Sequence, residues 1–188
     1  MSLLLTIGGW FKIYNRVIII SSTFKDQYEK VWSKINKQGL TVYDQLSDGL
    51  LTHLMDIARK TNESMLIISD DMCSQWRKNV DQKLVDTMIS TSRHAGKGIS
   101  FVFLSQSIVH LPTSIRRNCD CFCIFGATSF AETHLIWCDV STVNKKDFYR
   151  MFRQATQQKY KFLVCVNHGG QLRFYDSFEK ELQVDWSN

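Results

Sequence analysis

The stretch Met65-Leu66-Ile67-Ile68-Ser69-Asp70-Asp71-Met72 constrains this chain more than any other. Its four leading apolar residues run without polar interruption, whereas a strand with one solvated face alternates. The run reads as a strand buried on both faces, which requires a mainly parallel sheet covered by helices. It ends in two adjacent carboxylates, Asp70 and Asp71. Open α/β sheets build their sites in the crevice beyond the carboxyl ends of such strands. The same letters also fit a plain strand followed by a polar turn, with Asp70 or Asp71 capping the next helix.

The remainder of the chain supplies companions for that strand. Arg16–Ser22 is a second run dense in β-branched residues, closed by Ser21-Ser22-Thr23. Thr23 and Asp26 have the spacing of a capping box, and Tyr28, Val31, Trp32 and Ile35 form one helical stripe. Gly39 ends that helix, and Leu40–Tyr43 fits a short strand. Ser47 then caps a helix turning Leu50, Leu51, Leu54, Ile57 and Ala58 to the core. The spacing of Val80, Leu84, Met88, Val85 and Ile89 predicts one helix from about Gln75 to Ser92. Ile99–Leu104 reads as a third buried strand, ending at Ser105-Gln106-Ser107. Beyond Pro112 and the pair Arg116-Arg117, Cys121–Phe125 reads as a fourth strand. Helical patterns return near Phe130–Trp137 and Lys145–Gln157. Phe162–Val166 and Leu172–Tyr175, joined through His168-Gly169-Gly170, form a terminal hairpin. The expected architecture is a mainly parallel sheet sandwiched by helices, in a single domain over residues 1–188.

Composition excludes several classes. At 188 residues and 44% hydrophobic, the chain can bury a sizeable core, and one proline with nine glycines leaves little room for a linker. No stretch approaches the roughly 20 apolar residues of a membrane span, so no membrane partner is expected. Met1–Trp10 lacks the basic lead and small-residue cleavage pattern of a signal peptide and reads as the remains of a helix. Six cysteines in a chain this long and apolar point to reduced thiols rather than staples. Cys119, Cys121 and Cys123 alternate at period two and are expected on one buried strand face. Only His134 and Cys138 could help them hold zinc, and no C-x-x-C spacing supports it. The net charge of +5 permits contact with nucleic acid or nucleotide phosphates. Lys145, Lys146, Arg150 and Arg153 form a basic helix face, which is either a DNA-contacting or a solvated one.

Four features then follow in order: the Asp70-Asp71 strand end, Ser92-Arg93-His94 at a helix end, a buried strand ending in Gln106, and Ile115-Arg116-Arg117-Asn118. They offer a metal-binding acid, a mobile cation, an amide able to bond water or phosphate, and a second cation. A phosphoryl-transfer site requires those parts. Each also has a plainer use, Arg93 complementing a helix end, Gln106 satisfying loop groups, and Arg116-Arg117 forming a solvated turn.

These stretches, with Arg16–Thr23 and Leu111–Asn118, resemble the poxvirus-type genome-packaging ATPases of DNA viruses, within the FtsK–HerA superfamily of P-loop NTPases. The resemblance covers most of the chain and fades after about Phe162. It implies ATP and Mg²⁺ as cofactors, with Asp70 in the Mg²⁺ shell and Asp71 polarising the attacking water. It makes Gln106 the sensor between the γ-phosphate and the DNA-moving parts, and Arg93 and Arg116 the candidates for an arginine finger. It further implies a homo-oligomeric ring that threads double-stranded DNA into a preformed capsid, with a capsid or portal partner, in host-cell cytoplasm, viral factory or virion.

One departure stands out. The 188 residues contain no G-x-x-x-x-G-K-[ST] loop, since Gly8-Gly9-Trp10-Phe11-Lys12 and Gly96-Lys97-Gly98 have the wrong spacing. Met1-Ser-Leu-Leu-Leu5 looks like the helix that follows such a loop, with Ser2 at or near its hydroxyl position. The expectation is an ATPase core that begins just after its P-loop strand. In the resembled fold that strand lies between those ending at Gln106 and Phe125, which should then pair directly or leave a gap. Two alternatives are a non-catalytic remnant serving as a ring-interface or DNA-binding module, and a related plasmid or cellular DNA-pumping or secretion ATPase.

Overall fold

The computed structural model describes residues 13–24, 40–126, 129–140, 143–168 and 171–183. Ser2, the helix expected at Met1–Trp10 and the stripe Tyr28–Ile35 lie outside the described residues. The described elements are β1 (Arg16–Ile20), β2 (Leu40–Tyr43), α1 (Asp48–Thr61), β3 (Met65–Asp70), α2 (Cys73–Lys78), α3 (Gln82–Thr91) and β4 (Ile99–Leu104). They continue with α4 (Thr113–Arg117), β5 (Cys121–Phe125), α5 (Phe130–Val140), α6 (Lys145–Ala155), β6 (Phe162–His168), β7 (Gln171–Asp176) and β8 (Lys180–Leu182). Short 3₁₀ turns cover Ser92–His94 and Ile108–His110. No helix among the described residues is long and apolar enough to cross a membrane.

The chain divides into two compact units. One holds the described residues up to Gln106 with His110–Ser114, and the other holds Ser107–Val109 and the described residues from Ile115 onward.

The first unit is built on a four-stranded parallel sheet in the order β2-β1-β3-β4. β3 is central, as its unbroken apolar run demands, and Met65 through Ser69 are all buried. Its alternation assigns two faces. Leu66 and Ile68 pack with Val17, Ile19 and Phe24, while Ser69 on the opposite face accepts a 2.8 Å hydrogen bond from Trp76 Nε1 of α2. Trp76 is itself fully buried and meets Phe103 of β4 edge-on at 5.3 Å, which fixes α2 against the sheet. Ser47 caps α1 as expected, its Oγ accepting from the Leu50 N–H at 3.2 Å. The buried row of α1 is Leu51, Leu54, Met55 and Ala58, so Met55 joins the core and Leu50 and Ile57 stand at its margin.

The single helix expected from Gln75 to Ser92 is two helices. α2 stops at Lys78, and Asp81 caps α3 by accepting from the Lys83 N–H at 2.7 Å. Val80 is buried in the link rather than in the helix, and its side chain keeps the apolar phase across the break. β4 is half-buried along most of its length rather than fully buried, and among the described residues it pairs only with β3.

The second unit is an antiparallel sheet in the order β5-β6-β7-β8. The β6–β7 hairpin falls where the sequence placed it, and β8 adds a three-residue strand not anticipated there. α5 and α6 cover a core of Ile124, Ile136, Phe148, Met151, Leu163 and Phe174. Cys121 and Cys123 do share one face of β5, but that face is exposed, and Cys119 lies before the strand. Ile124 takes the buried face instead, since the core supplied by α5 and α6 lies on its side. β4 and β5 belong to different sheets and do not pair with each other, and no described strand pairs with both.

Candidate functional site

Parallel pairing brings Asp70, Asp71 and Gln106 to one edge of the first unit's sheet. Ile20 pairs with Ser69 and Leu104 with Asp70, so Ser21, Asp70, Asp71 and Gln106 all follow at the carboxyl ends of β1, β3 and β4. The two aspartates diverge there. Asp70 Oδ2 accepts a 3.3 Å hydrogen bond from Ser21 Oγ on the β1 side. Asp71 Oδ2 accepts a 3.2 Å bond from Gln106 Nε2 on the β4 side. The divergence has a backbone cause: Asp71 adopts φ +53, a left-handed conformation that Asp tolerates better than most residues. Its N–H donates to Leu104 O at 3.0 Å, tying this bend to the end of β4. Non-glycine residues held in such conformations concentrate at functional sites.

The electrostatics are those of an uncompensated acid pair. Burial pushes the Asp70 carboxyl above its ordinary value, the neighbouring Asp71 charge adds to the rise, and the Ser21 hydrogen bond opposes it. No described Lys or Arg forms an ion pair with either aspartate. A carboxylate burdened in this way, beside a hydroxyl and a second carboxylate, is an oxygen donor set that suits a hard divalent cation. The phosphate-binding half of a nucleotide site, a glycine-rich loop with its Lys, has no counterpart in the sequence. Among the described residues no group of three or more His, Cys, Asp or Glu forms a metal cluster, and His134 meets Cys138 as a pair, Nε2 to Sγ 3.9 Å.

The two arginines have different placements. Arg93 is exposed in the 3₁₀ turn after α3. That turn leads through Gly98, whose carbonyl accepts from the Met65 N–H at 3.1 Å, into the start of β4. Arg93 therefore stands at the amino edge of the sheet, about 17 Å of strand from the edge that carries Asp70, Asp71 and Gln106. Arg116 belongs to the second unit and is buried, its Nε 2.7 Å from Asp139 Oδ2 of α5. Those side chains are only 9% and 6% exposed, so this cation is committed to an internal pair. Ser21 is the site residue that the sequence reading missed. Its signal was the polar pair closing β1, but only the β1–β3 register shows that its hydroxyl falls beside Asp70.

A family model described as Poxvirus A32 protein matches residues 1–170. No curated protein matches the chain. Among solved structures, the fold resembles B204 of Sulfolobus turreted icosahedral virus 2, described as a genome packaging NTPase. Its sulfate complex gives a TM-score of 0.65 at 17% identity, covering 92% of this chain and 86% of that one. The ATP-γS complex of the same protein gives 0.59 at 17% identity, covering 85% and 80%. B204 from Sulfolobus turreted icosahedral virus, described as a DNA-packaging ATPase, gives 0.61 at 19% identity, covering 85% and 82%. At these identities the likeness is one of fold.

Proposed function

Because the chain belongs to the family of the poxvirus A32 protein, we propose that it is the ATPase part of a viral genome-packaging motor, driving double-stranded DNA into a preformed capsid. The observation that carries the proposal is the divergent acid pair at the end of β3, with Asp70 on Ser21 and Asp71 on Gln106. The matched residues 1–170 run through both compact units, which supports reading them as one ATPase domain of the FtsK–HerA kind.

In this reading Asp70 would hold Mg²⁺, with the Ser21 hydroxyl steadying its carboxylate. When bound, the ion would neutralise phosphate charge and the repulsion between the two carboxylates. Asp71, exposed and turned away from Asp70, accepts a proton from the attacking water. Gln106 holds Asp71 in the resting state through one hydrogen bond. An amide that releases that bond to contact a phosphate both frees the base and reports nucleotide arrival to β4, which is the sensing role. Arg93, exposed and at the opposite edge from its own aspartates, suits an arginine finger offered to a neighbour in a homo-oligomeric ring, and Arg116 does not. Ser2 remains the candidate for the hydroxyl of the phosphate loop. The ring's partners are double-stranded DNA and a capsid or portal component.

Without a G-x-x-x-x-G-K-[ST] loop, this chain alone is expected to bind little ATP. The test joins such a loop and its strand ahead of Met1 and measures hydrolysis. The extended protein should turn over ATP, and Asp71→Asn in it should lower kcat by about 10²–10⁴ while leaving nucleotide affinity within about twofold. Full turnover by that variant would remove Asp71 from the mechanism.

A further inference from the structure

α6 presents two contrasting sides. Phe148, Met151 and Ala155 face the core, while Lys145, Lys146, Arg150 and Arg153 are exposed. Among the described residues no carboxylate pairs with Lys145, Lys146 or Arg153, and the one acid of the first turn, Asp147, is already engaged by Arg150 at 2.9 Å and by Asn144 at 2.6 Å. Lys145 is held differently. Its Nζ lies 5.8 Å from the ring centres of Phe130 and Trp137 and 5.9 Å from that of Tyr149. Phe130 and Tyr149 pack against each other at 5.4 Å, and Phe130 is 70% exposed.

Aromatic faces steady an ammonium without neutralising it, so Lys145 keeps its whole charge while losing part of its rotamer freedom. A carboxylate partner would have cancelled that charge. Two lysines in a first helical turn also sit where the helix dipole disfavours cations, so the dipole stabilises neither. A polyanion laid along the helix offsets that penalty.

We propose that the exposed face of α6, with Phe130 of α5 as its edge, is the surface on which this chain contacts the phosphates of double-stranded DNA. The inference rests on the packaging reading and adds the contacting residues to it. Point cations directed at phosphates read no bases, so binding is independent of sequence and strongly salt-dependent. Lys145, Lys146 and Arg153 supply the unpaired charges, and Arg150 joins them by exchanging Asp147 for a phosphate.

The test is fluorescence anisotropy of a random-sequence duplex with the 188-residue chain between about 50 and 200 mM salt. Wild type should show log K falling with log salt at a slope of about −3, for three to four phosphate contacts. Lys145→Ala with Lys146→Ala should make that slope shallower by about 1.8, and Lys145→Arg with Lys146→Arg should leave it unchanged. Phe130→Ala removes one face from beneath Lys145 but no charge, so affinity should fall about two- to fivefold at constant slope. A wild-type slope that persists in the double alanine variant overturns this surface and leaves the packaging reading standing. A change in oligomeric state by light scattering at unchanged slope also overturns it, as the mark of a subunit contact. Absence of duplex binding by wild type overturns both.

Discussion

Replacing Arg116 with methionine removes the cation from a buried pair while keeping most of the side chain's length and its apolar stem. At the observed 2.7 Å contact with Asp139, and an effective dielectric of about 20, the attraction is roughly 6 kcal/mol. Desolvating two ions costs several kcal/mol each, so the intact pair is near neutral in its net effect. Breaking it is a different matter, because Asp139 is then left charged and alone with 6% of its side chain exposed. The expected loss is about 3–5 kcal/mol, or about 6–20 °C in Tm for a chain of this size. Asp139→Leu should cost a similar amount, and the double substitution should recover to within about 1–2 kcal/mol of wild type. Urea unfolding of the four proteins closes the cycle, with a coupling energy of at least about 2 kcal/mol. A loss below about 1 kcal/mol for the methionine variant would place Arg116 among ordinary surface residues and refute the buried-pair argument. An unchanged urea midpoint with lost turnover in the extended protein would return the arginine-finger role to it.

Gly96 has φ +60, and a Cβ built on it falls against the Ala58 carbonyl oxygen and 2.9 Å from that of Glu63. Gly96→Ala should therefore lower stability by about 2–4 kcal/mol, and Gly98→Ala, strained at φ +100 but 3.7 Å from its nearest neighbour, by about 1–2. Equal urea midpoints for the two variants would show that the turn carrying Arg93 yields more than its contacts imply. Asp70 titrates upward in the folded protein, so the folded state keeps a proton that the unfolded chain has released, and stability falls as pH rises from about 4 through the raised native value. Asp70→Asn should abolish that fall and raise Tm near neutral pH in metal-free buffer. Mg²⁺ should raise the Tm of wild type and not of the variant. An equal Mg²⁺ shift in both would put the ion elsewhere.

The sequence made β3 legible because burial on both faces leaves no alternation to misread, and its position at the centre of the parallel sheet follows from that. Helix starts were legible where a hydroxyl or carboxylate caps them, as Ser47 does. The break between α2 and α3 was hidden because Val80 keeps the apolar phase across it, so periodicity ran on while Asp81 started a new helix. Period two placed Cys121 and Cys123 on one face of β5 but could not say which, because side is set by α5 and α6 packing against Ile124. The Arg116-Arg117 pair reads as a solvated turn or a second cation; Arg117 is exposed, whereas Arg116 is buried against Asp139, a residue 23 positions away on another helix.

The site shows the same boundary between pattern and register. Asp70, Asp71 and Gln106 were legible as strand-end residues because each ends or follows a recognisable strand, and parallel pairing then brings strand ends together without further instruction. Ser21 was passed over because a hydroxyl after a strand is an ordinary cap, and its distinction is a register: Ile20 opposite Ser69 puts it beside Asp70. That register also decides what Arg93 can do. A helix that returns the chain to begin β4 parallel to β3 must deliver its last turn to the amino edge of the sheet, away from the aspartates. An arginine fixed there cannot serve its own acid pair without crossing the length of the sheet. If it acts in catalysis, it acts on a neighbour. Under the proposed mechanism strand direction thus calls for a second subunit, and mixing Arg93→Ala with Asp71→Asn subunits of the extended protein should restore part of the turnover that each variant lacks alone.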